Sequence, residues 1–169
     1  MHFRPARADD AASLAAISVE VWIGTYVRKG VNSVFAEYAL SEFTAAKFEA
    51  FLASENEAVI VSQNENGIDG FIRLSFDSPA PDCDRCATEI CTLYVQPRHH
   101  GRKLGSGLLH EALRLCQARD ISEVWLAVNS QNTRAIEFYK AHSFSLSGQT
   151  HFRIADEVYL NEVMKRRTV

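Results

Sequence analysis

A chain of 169 residues, 47% hydrophobic and 23% charged, is long enough to bury one core and is sized for one domain. Its 18 basic residues against 21 acidic ones leave a net charge of −3, which argues against the basic face that sequence-independent nucleic-acid binding requires. No apolar run approaches the roughly 20 residues that cross a bilayer, and Met1-His2-Phe3-Arg4-Pro5 lacks the layout of a secretion signal, so a cytoplasmic protein without membrane or nucleic-acid partners is expected.

In chain order, His2 to Ala6 reads as a first strand. Asp9 or Asp10 then caps a helix that carries Leu14, Ile17, Val21 and Trp22 on one stripe and ends near Gly24 or Tyr26. A second helix is predicted from about Val34 to Leu52, with Phe35, Tyr38, Phe43, Phe48 and Phe51 as its bulk. Val59-Ile60-Val61 forms a strand, and the turn Asn64-Glu65-Asn66-Gly67 leads to an antiparallel partner, Ile68 to Phe76. Glu89 to Val95 is the next strand. After it, Leu104, Leu108, Leu109, Ala112, Leu113 and Cys116 recur at helical spacing. Val124 to Val128 suits a buried strand parallel to Glu89–Val95 through a helical crossover. Asn132 to Ala141 is a short helix, and Phe144–Thr150 with Val158–Met164 closes the chain as a strand pair. No repeat or linker interrupts residues 1–169, so a single α+β domain is expected, its mixed sheet carrying helices on both faces.

The run Arg102-Lys103-Leu104-Gly105-Ser106-Gly107 lies between an apolar strand and an apolar-periodic helix. A glycine-containing turn at a helix N-terminus aims backbone N–H groups and the positive helix end at one spot, which suits a phosphate or pyrophosphate. Gly105 and Gly107 would let a ligand approach the backbone, and Arg102 and Lys103 add countercharge or are merely solvated surface charges. On the preceding strand, Glu89, Cys91, Leu93 and Val95 alternate with Ile90, Thr92 and Tyr94. In the short helix, Asn132 and Tyr139 stand seven residues apart on one face with Ala135 and Ile136.

These segments together resemble the GNAT superfamily of N-acetyltransferases. The family's phosphate-loop pattern, Arg/Gln-x-x-Gly-x-Gly/Ala, is matched by Arg102-x-x-Gly105-x-Gly107. A second pattern, Asn-x-x-Ala-Ile-x-Phe-Tyr, is matched by Asn132 to Tyr139, and Leu93-Tyr94-Val95-x-Pro97 looks like the strand before the loop. The Ile17-Ser18-Val19-Glu20 helix, the Glu89-Ile90 strand start and Gly148 before His151-Phe152 resemble the bacterial polyamine (spermidine/spermine) N-acetyltransferases. The implied fold is a central, mostly antiparallel mixed sheet splayed beside its fourth strand. One departure is Ser143, where the family has Gly before the residue equivalent to Phe144; a left-handed helix end costs a non-glycine residue about 1 kcal/mol.

The resemblance implies acetyl transfer from acetyl-CoA to a primary amine by direct attack, without a metal. The Leu93-Tyr94-Val95 segment would line the pantetheine arm, pairing through the backbone of Leu93 and Val95 as an added strand does. The amides of Arg102, Lys103, Leu104, Gly105, Ser106 and Gly107 would hold the pyrophosphate. Asn132 would order the cofactor arm, and Tyr139 would protonate the departing thiolate. Glu89, directly or through a water, would take the proton that an ammonium acceptor must lose. Trp22 and Tyr26 would line the acceptor site, where aromatic faces suit a cation. A polyamine or other small cationic amine is the first acceptor class; a protein N-terminus or lysine, and an aminoglycoside-like compound, are the others, and a homodimer is compatible with the sequence.

Each assignment has a plainer counterpart. Asn132 suits an N-cap, Tyr139 and Trp22 a packed core, and Glu89 a strand-end charge. His99 and His100 read as exposed loop residues. Cys83-x-x-Cys86 lies in a Pro-rich loop and reads as surface rather than a zinc or redox pair, since structural zinc takes four ligands. A chain that only binds acyl-CoA, with Tyr139 a packing residue, is the competing function.

Overall fold

The computed structural model describes residues 2–83 and 85–168. The elements are β1 (His2–Pro5), α1 (Ala11–Tyr26), α2 (Ser33–Glu42), α3 (Ala45–Ala53), β2 (Glu57–Asn64), β3 (Gly67–Ser75), β4 (Glu89–Val95), α4 (Leu104–Ala118), β5 (Glu123–Asn129), α5 (Thr133–Ala141), β6 (Ser145–Ile154) and β7 (Glu157–Arg167). The strands hydrogen-bond in the order β1-β2-β3-β4-β5-β7-β6. β4 and β5 run parallel, whereas β1/β2, β5/β7 and β6/β7 are antiparallel. The expected mixed α+β sheet is present, with the parallel pair where a helical crossover, α4, joins its strands.

Two compact units make up the chain: one runs through Arg73 and adds Thr92–Ala112, the other takes Leu74–Cys91 and the chain from Leu113 onward. The first is organised around Leu14, Ile17, Phe48, Val59, Val61 and Phe71, each under 9% exposed. Burying a side chain of this size stabilises by about 1.5–3 kcal/mol before entropy is counted. In the second, Trp125 and Val163 pack with Ala80 and Cys86.

Two local expectations are corrected. The single helix from Val34 to Leu52 is two helices, broken at Phe43-Thr44. Thr44 is extended and its hydroxyl accepts from the Lys47 amide at 3.3 Å, while Asn32 caps α2 by accepting from Phe35 at 2.9 Å. Apolar spacing continues across so short a break, which conceals it. Asp10 precedes α1 but does not cap it with its side chain. A short 3₁₀ turn, Ala8–Asp10, comes first, and the Asp10 carboxylate turns back to Arg4, at 2.7 and 3.0 Å, and to the Arg7 amide at 2.7 Å.

Candidate functional site

After β4, a short turn at Pro97–His99 leads to Gly101, at φ 81°, and Lys103, at φ 60°. α4 begins at Leu104, so Gly105 and Gly107 lie inside its first turns rather than in a loop. The amide of Gly107 donates to the Lys103 carbonyl at 3.0 Å, closing the first turn. The expected diphosphate cradle is therefore shortened: Leu104, Gly105 and Ser106 occupy the three helical positions whose N–H groups have no carbonyl one turn back, and the Gly107 amide is already used. Gly107 serves packing instead, because a Cβ there would stand 2.2 Å from Phe3 Cζ. The Leu104 side chain is buried, so its main chain alone can face an anion, while Arg102 and Lys103 are exposed. The left-handed backbone falls on Lys103, immediately before α4.

The segment that enters this loop is fixed within its own unit. The Gln96 amide donates to the Asp69 carbonyl at 3.0 Å, and Gln96 Nε2 donates to Glu20 Oε2 at 2.7 Å. Arg98 reaches the same carboxylate at 3.5 Å. His99 is not an exposed loop residue: its side chain is 17% exposed and Nδ1 lies 3.3 Å from Oδ2 of the buried Asp69, which also accepts from Asn64 at 2.9 Å. His100 is exposed, yet its Nε2 pairs with the Val95 carbonyl at 3.0 Å. That carbonyl is one of the strand groups expected to meet a pantetheine arm.

In the second unit, Glu89 opens β4 opposite Trp125, and the Trp125 amide donates to the Thr88 carbonyl at 3.0 Å. The Ser78 hydroxyl donates to Glu89 Oε2 at 2.6 Å, while the Ser78 carbonyl accepts from the Trp125 indole at 2.7 Å. Ser78 carried no motif; its position in a loop among Pro79 and Pro81 gave no sequence signal. Cys91 Sγ donates to the Glu89 carbonyl at 3.8 Å.

Asn132 is the N-cap of α5, its Oδ1 accepting from the Ala135 amide at 3.2 Å. Two turns on, the Tyr139 ring is 9% exposed, with ring centroids 5.3 Å from Phe138 and 5.5 Å from Phe144. Helix exit is left-handed despite the missing glycine: Ser143 has φ 64° and the Phe144 amide donates to the Tyr139 carbonyl at 3.0 Å.

Trp22 is 4% exposed and packs among Tyr26, Phe35, Tyr38 and Phe43, with Tyr26 at the exposed margin of the cluster. Burial pushes the Tyr38 phenol up to about 12. The Cys83–Cys86 loop is not simply surface, since Cys86 is 2% exposed. Burial, then the charge of Glu123, raises its thiol to about 11, which suppresses thiolate chemistry. Among the described residues, no group of three or more His, Cys, Asp or Glu side chains is placed to hold a metal ion. Nor, among these residues, is any helix long and apolar enough to cross a membrane.

Residues 27–144 match the model of the acetyltransferase (GNAT) family. Uncharacterized N-acetyltransferases of Mycobacterium bovis and Mycobacterium tuberculosis are 33% identical over 81 residues, 48% of this chain; the match spans about half, 52%, of their own length. Among solved structures, the PaiA N-acetyltransferase of Thermoplasma acidophilum, in complex with coenzyme A, superposes with a TM-score of 0.75 at 19% identity over 98% of both chains. YncA of Salmonella typhimurium, a putative acetyltransferase solved with acetyl-CoA, gives 0.73 at 22% identity over 100% of this chain and 94% of that one. The fold, the α5 motif and the family match agree: the chain belongs to the acetyltransferase (GNAT) family.

Proposed function

We propose that this protein transfers the acetyl group of acetyl-CoA to a primary amine by direct attack, the first acceptor class being polyamines and other small cationic amines. The observation that carries it is the opening of α4: Lys103 is left-handed immediately before the helix, Leu104, Gly105 and Ser106 form its first turn, and Arg102 and Lys103 are exposed beside them. That arrangement fits a diphosphate without a metal, and it accords with the coenzyme A and acetyl-CoA bound by the T. acidophilum and S. typhimurium proteins.

Acetyl-CoA supplies an activated acyl group; the chain supplies position and proton transfer. Backbone groups of Leu93, Tyr94 and Val95 line the pantetheine arm, with His100 yielding the Val95 carbonyl, and Asn132 orders the arm. An ammonium near pKa ~10 is inert as a nucleophile, so Glu89, directly or through a water, takes its proton. The neutral nitrogen then forms the C–N bond at the acetyl carbonyl carbon as the C–S bond breaks, and the second proton that the new amide nitrogen must lose passes to solvent water. The Leu93 N–H polarises that carbonyl. Tyr139 donates its proton to the departing thiolate and regains one from solvent. Trp22, through its packing, and Tyr26, at the exposed margin, shape the acceptor approach.

Calorimetry with CoA, followed by thiol release from acetyl-CoA with a panel of polyamines, aminoglycosides, lysine peptides and peptide N-termini, tests this. Micromolar CoA affinity and acetylation of at least one amine are expected. Absence of CoA binding overturns the proposal, and binding without turnover of any amine leaves a non-catalytic acyl-CoA-binding module.

A further inference from the structure

In the second unit, the strand register lays out one face of the sheet. Glu89 stands opposite Trp125, and Asn129, four residues further along β5, stands opposite Asn161 of β7. Asn161 in turn stands opposite Thr150 of β6. Side chains two or four residues apart on a strand share a face, as do directly opposed ones, so Glu89, Asn129, Asn161 and Thr150 belong to the same face. The Pro-rich loop covers the Trp125 end of it, where Ala80 and Cys86 pack on Trp125 and Val163, and Asp82 pairs with Lys165 at 2.8 Å. The Asn129–Asn161–Thr150 end is half-buried.

Asn161 Oδ1 on this floor is buried and has no hydrogen-bond partner among the described residues. A buried carbonyl oxygen left unmatched is destabilising, and native structures seldom leave one without a reason. Asn129 Nδ2 does not donate to it, and Asn129 turns its Oδ1 to the Gln131 amide, from which it accepts at 2.9 Å. An amide oxygen in this position is an acceptor awaiting an N–H or O–H, and it carries no charge with which to offset a desolvated ammonium.

We propose that the Asn129–Asn161–Thr150 floor binds the part of the acceptor that does not react, and that the acceptor is a small amine bearing a neutral donor, an amide N–H or a hydroxyl, which Asn161 Oδ1 accepts. This rests on the acetyl transfer proposed above and narrows its acceptor class, away from polyamines. Four residues of strand separate the Trp125 and Asn129 rows, roughly 13 Å, so the donor lies several bonds from the reacting nitrogen.

Three acceptors of equal chain length test it: an ω-amino amide, an α,ω-diamine and a plain alkylamine. Each is assayed for turnover with acetyl-CoA and for binding to the CoA-loaded protein by calorimetry, in wild type, Asn161→Leu and Asn161→Asp. Wild type is expected to favour the amide over the alkylamine at least tenfold, Asn161→Leu to erase that preference, and the nearly isosteric Asn161→Asp to turn it toward the diamine. A wild-type preference for the diamine, or an amide preference that survives Asn161→Leu while amines are still acetylated, overturns the inference and spares acetyl transfer. Binding of the amide that Asn161→Leu abolishes, with no amine ever acetylated, supports the floor and overturns acetyl transfer instead.

Discussion

The Ser78 hydroxyl donates to Glu89 Oε2 at 2.6 Å, and the carbonyl of the same serine receives the Trp125 indole N–H at 2.7 Å. Trp125 is 6% exposed and rigidly packed, so it fixes Ser78, and Ser78 in turn holds one oxygen of the carboxylate. In the proposed mechanism the other oxygen, Oε1, is the one that meets the acceptor ammonium or a relaying water.

If Glu89 removes the proton of the acceptor ammonium, Glu89→Gln should lower kcat/KM by about 10²–10⁴ at pH 7.5. The deficit should shrink as pH rises toward the amine pKa near ~10, because the acceptor then arrives neutral. Ser78→Ala should cost less, about three- to tenfold, with the KM for acetyl-CoA unmoved. Steady-state rates between pH 7 and 9.5 check both. A Glu89→Gln deficit that stays constant across this range assigns the carboxylate a structural role.

Tyr139 combines a buried ring with a phenol of proposed catalytic use. Tyr139→Phe keeps the packing on Phe138 and Phe144 and removes only the proton donor. Turnover should fall by about 10²-fold or more, while CoA affinity by calorimetry and the melting temperature stay close to wild type. Unchanged turnover would favour the acyl-CoA-binding module. Tyr139→Ala should instead cost about 3–5 kcal/mol of stability through the cavity it leaves.

The left-handed residues at both helix ends make a third test. Ser143, at φ 64°, and Lys103, at φ 60°, adopt a backbone that glycine reaches without a Cβ clash. Ser143→Gly should stabilise by up to about 1 kcal/mol in urea denaturation, and Lys103→Gly should do so while CoA binding survives on the backbone amides. Gly107→Ala should destabilise by about 1–3 kcal/mol, because the added methyl meets the Phe3 ring rather than a ligand. Equal loss of CoA affinity in Gly107→Ala without loss of stability would return Gly107 to the diphosphate cradle.

These positions also show what the sequence could and could not reveal. The Asn132–Tyr139 motif sits on a helix face with its cap in place, because capping and 3.6-residue periodicity are local properties. The β4-loop-α4 order was legible for the same reason. The turn itself was not: glycines draw the eye to 105 and 107, whereas the left-handed residue before α4 is Lys103, which no glycine marks. Thr44 hid a helix break because the apolar spacing carries on through it. Ser78 and Asp69 belong to no motif; their roles arise only when the fold brings up partners distant in the chain, as with His99 on Asp69 and with Glu89 and Trp125 on Ser78.

The Arg4–Asp10 pair gives the fold a pH signature of known sign. The Arg4 guanidinium, opposed in part by burial and aided by the Arg7 amide, holds the Asp10 carboxyl below its ordinary value. The unfolded chain therefore binds this proton at a higher pH than the folded one. The pair's contribution is complete above the unfolded carboxylate pKa near ~4 and fades as pH falls through the folded value. Urea denaturation of wild type and Asp10→Asn at pH 6 should differ by about 1–2 kcal/mol. The gap should narrow steadily below pH ~4 and level off below the folded value, where both chains carry a neutral side chain at position 10. A gap that stays constant down to pH 3 would mean that Asp10 stabilises β1 and the first turn of α1 through the shape of its hydrogen bonds rather than through its charge.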